Sequence, residues 1–139
     1  MLFKRKLAIL LDIDGVFNSL SRIEGEKELV IHPWGTWQIT PENVEFLKYL
    51  AKNYKCYWIS SWGDESNVIN KQIGIKPFKA IGRQGKNFAI TQVIDKYKNL
   101  IVIDDEFIDE RVKCFTPKDG TGLAEEDRNA IKEYINSIV

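Results

Sequence analysis

Short apolar runs alternate with segments of helical periodicity along this chain. The five runs long enough to form a β-strand are Leu7–Leu11, Cys56–Ser60, Pro77–Ile81, Leu100–Ile103 and Val112–Phe115. The first and fourth are apolar at every position, which is typical of strands that a parallel sheet buries on both faces. Strands that alternate with helices predict βαβ units with right-handed crossovers. The expected fold class is therefore α/β, with a central parallel sheet.

Four segments are predicted to be helical, one of them near residues 65–73. The first helix has a clear start, because Thr40 can cap it, Pro41 suits its first position and Glu42 places an acid in its first turn. The residues expected to be buried at helical spacing are Val44, Leu47, Leu50, Ala51 and Tyr54 in this helix, Ala89, Ile90, Val93, Ile94 and Tyr97 in a helix from Lys86, and Ile131, Tyr134, Ile135 and Ile138 in a helix from about Leu123.

The irregular part of the chain is residues 16–40. Within it, Leu29–Ile31 and Trp37–Ile39 can pair as a small β-hairpin around Pro33–Gly35. We expect this hairpin to act as a flap, or minimal cap, over the end of the first strand. The rest of the chain shows no linker or repeat, so a single domain over residues 1–139 is predicted.

Charge and cysteine content indicate which binding partners and which cellular location to expect. Lys plus Arg equals Asp plus Glu, at 20 each, so no overall field favours nucleic acid or a membrane surface. No apolar run approaches the ~20 residues of a membrane span, and the basic start Met1–Lys6 leads into a strand rather than a cleavage site. Cys56 and Cys114 lie in apolar stretches, which favours buried free thiols and a cytoplasmic location.

Polar side chains follow three of the predicted strands directly. Asp12 and Asp14 follow the first strand, Ser60 ends the second, and Asp104 with Asp105 follows the fourth. The carboxyl ends of parallel strands meet at one edge of the sheet, where open α/β folds hold their ligands. The sequence therefore predicts one site that contains all of these residues.

The chemistry expected of this site is phosphoryl transfer. Asp12 and Asp104 could hold Mg²⁺, which prefers oxygen ligands, and Asp12 could attack a phosphoryl group to form an aspartyl-phosphate. Asp14 could protonate the leaving oxygen and later deprotonate water, which requires a raised pKa. Ser60 offers a hydroxyl donor to a phosphoryl oxygen, and Lys86 offers a positive charge.

The stretch Leu7–Val16, with its Asp-Ile-Asp-Gly, resembles the first motif of the haloacid dehalogenase (HAD) superfamily of phosphotransferases. The resemblance extends over roughly residues 7–110 and implies a three-layer α/β/α, Rossmann-like fold. It also implies a role for each matching residue: nucleophile for Asp12; general acid/base and backbone metal ligand for Asp14; phosphoryl binding for Ser60 and Lys86; metal binding for Asp104 and Asp105.

A finer resemblance rests on four short segments: Ser60-Ser-Trp-Gly-Asp64, Asn67, Ile103-Asp-Asp-Glu106 and Gly122-Leu-Ala-Glu-Glu-Asp127. Together they are similar to the HAD domains of RNA-repair (Swiss Army Knife) proteins and their stand-alone phage and bacterial relatives. The chain has no room for a large cap, and an open site suits a polynucleotide end as well as a phosphorylated small molecule. Ser61 and Trp62 are expected to contact substrate beside Ser60 and Lys86.

Several assignments stay open at this stage. Arg83 competes with Lys86 as the cation of the site, and Asp109 could take the place of Asp105. His32 is expected to be structural or on the surface. The tryptophans Trp34, Trp37, Trp58 and Trp62 could stack on bases, although tryptophans more often pack in cores.

The predicted function is Mg²⁺-dependent phosphomonoester hydrolysis through phospho-Asp12, with a nucleotide or a nucleic-acid 3′-phosphate end as possible substrates. A receiver-like signalling domain is disfavoured. Its phosphorylated Asp lies on a middle strand and its lysine comes last, after the hydroxyl strand, whereas Lys86 precedes the Asp104 strand. The remaining rival is a catalytically silent relative that binds nucleic acid or protein.

Overall fold

The computed structural model describes residues 5–19, 25, 28–32, 35–106, 109–117 and 122–139, and over residues 28–32 and 35–37 it describes the backbone alone. Its strands and helices, in chain order, are β1 (Arg5–Leu11), β2 (Glu28–His32), β3 (Gly35–Ile39), α1 (Pro41–Asn53), β4 (Lys55–Trp58), α2 (Asn67–Ile73), β5 (Lys79–Ala80), α3 (Lys86–Val93), β6 (Tyr97–Ile103), β7 (Lys113–Phe115) and α4 (Glu125–Ile138). None of the helices described is long and apolar enough to cross a membrane.

The central sheet has five strands in the order β5-β4-β1-β6-β7, and each neighbouring pair is parallel. Strand β1 lies in the middle, where Leu11 pairs with Trp58 of β4 on one side and with Ile103 of β6 on the other. The α/β class and the parallel sheet predicted from the apolar runs are therefore confirmed.

Helices pack on both faces of this sheet because side chains alternate between the faces along each strand. Ile9 and Leu11 of β1 belong to a buried cluster that includes apolar residues of α1, α2 and α4. Ala8 and Leu10 belong to a second cluster with Ala89, Ile90 and Val93 of α3. The two clusters explain why β1 is apolar at every position after Lys6.

The hairpin predicted within residues 16–40 is present. Strands β2 and β3 pair in antiparallel fashion, with Val30 opposite Trp37. Two hydrogen bonds join β3 to the chain that follows β1: Ser19 N donates to Gln38 O (2.9 Å), and Gln38 N donates to Asn18 Oδ1 (3.1 Å). The hairpin is thus anchored beside the end of β1.

Some predicted boundaries need correction. Tyr97 is not on the face of α3, because that helix ends at Val93 and a 3₁₀ turn (Ile94–Lys96) leads into β6, where Tyr97 is the first residue. Its hydroxyl hydrogen-bonds the hydroxyl of Tyr57 (2.8 Å) inside the second cluster. Strand β4 ends at Trp58, before Ser60, and β5 has two residues. Cys56 and Cys114 are free thiols, as predicted, although Cys114 is only half-buried.

Candidate functional site

Backbone hydrogen bonds hold the carboxyl ends of the central strands in register. Ile59 N donates to Leu11 O (2.9 Å), Asp12 N donates to Ile103 O (2.9 Å), and Asp104 N donates to Phe115 O (3.1 Å). The chain therefore leaves β1 and β6 at the same level of the sheet. As a result, Asp12 and Asp104 follow neighbouring strands side by side.

Three carboxylates and one lysine meet at this edge. Oxygen atoms of Asp12, Asp104 and Asp105 lie within 4.8 Å of one another. Lys86, the first residue of α3, donates a short hydrogen bond to Asp104 Oδ2 and places its Nζ 3.4 Å from Asp12 Oδ2. Asp104 is fully buried and Asp12 is only 7% exposed, so these charges interact in a largely water-excluded environment.

Gly15 makes room for one of these carboxylates. Its φ is +79°, and a Cβ at this position would lie 2.3 Å from Asp105 Oδ2. Any side chain would therefore have to displace Asp105 or the turn, and the backbone would also be strained. The glycine in the Asp-Ile-Asp-Gly stretch thus leaves space for the Asp105 carboxylate in addition to allowing the positive φ of the turn.

The pKa values reflect the crowding of negative charge. Burial and the nearby charge of Asp104 raise the pKa of Asp12 from 3.8 to about 6, although Lys86 opposes the shift. Burial and the charge of Asp104 also raise the pKa of Asp105. For Lys86, burial lowers the pKa, but the hydrogen bond to Asp104 and the charge of Asp12 outweigh it and give a net rise. The single ammonium group of Lys86 therefore does not fully neutralise the negative charge of the three carboxylates.

The donor set fits a hard divalent cation. Three carboxylates within reach of one another supply the oxygen ligands and the negative charge that Mg²⁺ prefers. Burial and the charge of Asp104 raise the pKa values of Asp12 and Asp105, and a bound divalent cation would oppose both shifts. Asp12, Asp104 and Asp105, three of the predicted ligands, are the residues that would hold it.

Asp14, the other predicted acid, has a separate position. Its carboxylate lies outside the cluster of three and accepts a hydrogen bond from Asn18 Nδ2 (2.7 Å). The side chain is half-buried in the turn that follows β1. The carboxylate of Asp14 is therefore separate from the three clustered carboxylates, although the backbone of Asp14 is only two residues beyond Asp12.

The Ser60-Ser61-Trp62 segment follows β4 at the same edge of the sheet. Ser60 is buried, and its Oγ accepts a hydrogen bond from Trp62 N (3.2 Å). Ser61 is exposed, and Trp62 is half-buried against the larger core cluster. Of the two predicted serines, only Ser60 has its side chain held in place by a hydrogen bond described here.

The geometry distinguishes the residues that the sequence left as alternatives for the cation and the outer acid of the site. Lys86, not Arg83, contacts the acids; Arg83 is exposed on a neighbouring groove. Asp109 is held by Arg111, which donates from Nη2 to Asp109 Oδ2 (2.8 Å) and lowers the pKa of Asp109. Asp105 is therefore the acid that joins Asp12 and Asp104.

One of the four tryptophans is excluded as a stacking residue by its burial. Trp58 is fully buried, and its Nε1 donates to Asn70 Oδ1 (2.9 Å) and Asn67 Oδ1 (3.2 Å), so it cannot stack on a base. Trp34 and the side chains of His32 and Trp37 lie outside the described residues. Asn67, part of the finer resemblance, also hydrogen-bonds the backbone of Phe78: Asn67 Nδ2 donates to Phe78 O, and Phe78 N donates to Asn67 Oδ1 (2.8 Å each). Asn67 therefore has a structural role.

The sequence analysis missed a hydrogen-bonded clamp beside the site. Leu123 N donates to Val16 O (2.9 Å), in the turn that carries Asp14. Asn43 Nδ2 and Arg128 Nη1 both donate to Leu123 O (3.1 and 2.9 Å), and Arg128 Nη1 also donates to Asn43 Oδ1 (2.8 Å). In the helical periodicity of α1, Asn43 occupies a position at which an apolar residue is expected. A polar residue at such a position is the only sequence signal for the clamp.

Comparison with known proteins adds no assignment. No protein-family model matches the sequence, and no curated protein matches it significantly.

Proposed function

We propose that this protein is a Mg²⁺-dependent phosphomonoester hydrolase of the HAD type, with the three-layer fold and hairpin flap of that family. The observation that carries the proposal is the cluster of Asp12, Asp104 and Asp105 around Lys86 at the carboxyl edge of a parallel sheet. An α/β fold alone would not support an activity, because many functions share it. The proposal therefore depends on the chemistry of these four side chains.

Asp12 is the nucleophile. With a pKa of about 6, its carboxylate is mostly ionised at pH 7, and the nearby ammonium of Lys86 keeps it so. A carboxylate oxygen attacks the phosphorus, the bond from phosphorus to the leaving oxygen breaks, and phospho-Asp12 forms. Water then attacks that phosphorus, which releases inorganic phosphate and restores the carboxylate.

Asp14 handles the protons of both steps. It protonates the leaving oxygen in the first step and takes a proton from the attacking water in the second, so no net proton stays on the enzyme. The hydrogen bond from Asn18 Nδ2 orients its carboxylate. Because the hydrogen bond uses Oδ1, the other carboxylate oxygen can exchange the proton.

Two further residues bind the phosphoryl group. Lys86 supplies a positive charge, and Ser60, whose Oγ accepts from Trp62 N, still has its hydroxyl hydrogen to donate. Bound Mg²⁺ supplies the Lewis-acid charge that offsets repulsion between a phosphate dianion and the carboxylates. The proposed substrate is a phosphorylated small molecule, a nucleotide or a nucleic-acid 3′-phosphate end. The proposed location of the protein is the cytoplasm.

The test is phosphate release from an aryl phosphate, nucleoside 5′- and 3′-monophosphates and a 3′-phosphorylated oligonucleotide, each with Mg²⁺ and with chelator. We expect release that needs Mg²⁺, and Asp12→Asn should lower kcat at least about 1,000-fold because the nucleophile is lost. The matched control is Asp109→Asn, which removes a carboxylate bound to Arg111 and should leave kcat within about threefold. Full activity of Asp12→Asn would exclude the mechanism.

A further inference from the structure

The charges of this chain are separated along the sequence in spite of a net charge of zero. From Ser66 to Ile94 the chain contains no Asp or Glu. Its basic residues in this stretch are Lys71, Lys76, Lys79, Arg83 and Lys86. The stretch includes β5, the edge strand of the sheet, and α3, so this part of the chain brings basic residues but no acid of its own to that edge. A local field of this kind attracts polyanions even when the whole molecule is neutral.

A groove of about 460 Å³ lies between α3 and the β5 edge. Lys79, Arg83 and Lys96 line it, and none of the lining residues described is acidic. The volume is within the ~300–1,000 Å³ typical of ligand sites. Unlike Lys86, these three cations are exposed and are therefore available to phosphate groups of a ligand.

Phe88 is exposed in the same groove. It is 46% exposed, and the only other large apolar residue exposed to this degree in the described part of the chain is the last residue, Val139. Gln84 and Gln92 lie four residues before and after it and also line the groove. An exposed ring costs free energy in water, so its position among cations and amides indicates a ligand with both flat and anionic parts.

We propose that this groove binds single-stranded nucleic acid, with phosphates on Lys79, Arg83 and Lys96 and a base stacked on Phe88. Cationic grooves with aromatic platforms bind single strands in this way, and the glutamine amides can hydrogen-bond base edges. An acidic peptide would satisfy the cations but would leave the Phe88 ring without a stacking partner.

The start of α3 lies between the groove and the acid cluster. Lys86 begins α3, and Phe88 and Gln92 follow within about 9 Å along the helix axis, at 1.5 Å per residue, on the side of the helix away from Lys86. A strand that leaves the groove past the start of α3 would bring its end to Asp12. This last step rests on the proposed phosphatase function, whereas binding in the groove does not.

The test measures binding without catalysis. Fluorescence anisotropy of a labelled 12-nucleotide single strand, as RNA and as DNA, is recorded with chelated Asp12→Asn protein. Adding Phe88→Ala should weaken binding about five- to hundredfold through lost stacking, and Phe88→Tyr should retain affinity. Adding Lys79→Gln and Lys96→Gln together should reduce the slope of log K against log salt by about 1.4.

Lys132→Gln is the matched control, because Lys132 is an exposed lysine of α4, which packs on the other face of the sheet. It should change affinity less than twofold. Equal effects of Lys132→Gln and of the Lys79→Gln, Lys96→Gln pair, no effect of Phe88→Ala, or tighter binding of polyglutamate than of the oligonucleotide would overturn the proposal. So would salt-sensitive self-association in sedimentation that Lys79→Gln abolishes.

Activity separates this proposal from the phosphatase. Hydrolysis of an aryl phosphate without oligonucleotide binding would support the phosphatase and reject the groove. Oligonucleotide binding without hydrolysis of any phosphomonoester would support the groove and reject the phosphatase. If both hold, Phe88→Ala should lower the ratio of kcat/KM for the 3′-phosphorylated oligonucleotide to that for the aryl phosphate at least about fivefold.

Discussion

Two buried carboxylates, Asp12 in the acid cluster and Asp109 outside it, make the stability depend on pH in opposite directions. Asp12 has a pKa of about 6 in the folded chain and an ordinary value of 3.8 when unfolded. The folded state therefore binds the proton more tightly, and stability falls as pH rises from about 4 to about 6. Asp109 has a lowered pKa because of its hydrogen bond to Arg111, so its contribution is present at high pH and lost as pH falls.

This difference gives a prediction for the metal-free protein. At pH 7 Asp12→Asn should be more stable than wild type by up to about 3 kcal/mol. The variant has no carboxylate to keep ionised at a position where folding raises the pKa from 3.8 to about 6. The gain should vanish below about pH 4. Urea unfolding in chelator at a series of pH values measures it, with Asp109→Asn as the control that should lose stability at pH 7. A wild type that is more stable than Asp12→Asn at pH 7 would contradict the pKa assignment.

At the scale of the elements, the turn after β1 is held by two helices far apart in the sequence, α1 and α4. Asn43 of α1 and Arg128 of α4 meet at Leu123 O, and Leu123 N binds Val16 O. Asn43 is 1% exposed, and removal of its amide takes away two hydrogen bonds inside the protein, one to Leu123 O and one from Arg128 Nη1. The turn that presents Asp14 thus depends on packing between distant segments.

We expect Asn43→Ala to lower the free energy of unfolding by about 1–3 kcal/mol, because two hydrogen bonds are lost at about 0.5–1.5 kcal/mol each. Asn53→Ala is the matched control: Asn53 is in the same helix, and its amide bonds Tyr49 O at an exposed position. The control should lose less than about 0.5 kcal/mol. Urea unfolding of the two variants compares these costs, and equal losses would argue against the clamp.

At the scale of the whole molecule, the stability of the fold should depend on the cation. A ligand that binds only the folded state stabilises it by about 2.7 kcal/mol at a concentration 100 times its Kd. Because Asp12, Asp104 and Asp105 lie on segments after β1 and β6, Mg²⁺ would also join the two central strands.

Mg²⁺ should therefore raise the Tm of the wild-type protein by several degrees in scanning calorimetry. Asp105→Asn should remove most of this increase, because Asp105 is a half-buried member of the cluster whose replacement leaves Asp104 and Lys86 paired. Asp109→Asn should retain it. The same increase in Asp105→Asn as in wild type would place the cation elsewhere.

The sequence by itself determined the parts of this protein that depend on local patterns. Burial of β1 on both faces requires apolar residues throughout Leu7–Leu11, and the start of α1 requires the hydroxyl of Thr40, which accepts from Asn43 N (3.3 Å). The acids at the strand ends were predictable for the same reason, since parallel strands bring their carboxyl ends together. The hairpin of β2 and β3 also follows from neighbouring residues.

Only the tertiary structure decided which similar residues belong to the site. Lys86 and Arg83, or Asp105 and Asp109, are equivalent by type and nearly so by position, but α3 directs Lys86 to Asp104 while Arg111 holds Asp109. The pairing of Tyr97 with Tyr57 and the clamp of Asn43 with Arg128 join residues far apart in the chain. Such contacts depend on how whole helices and strands pack, and no local periodicity encodes that packing.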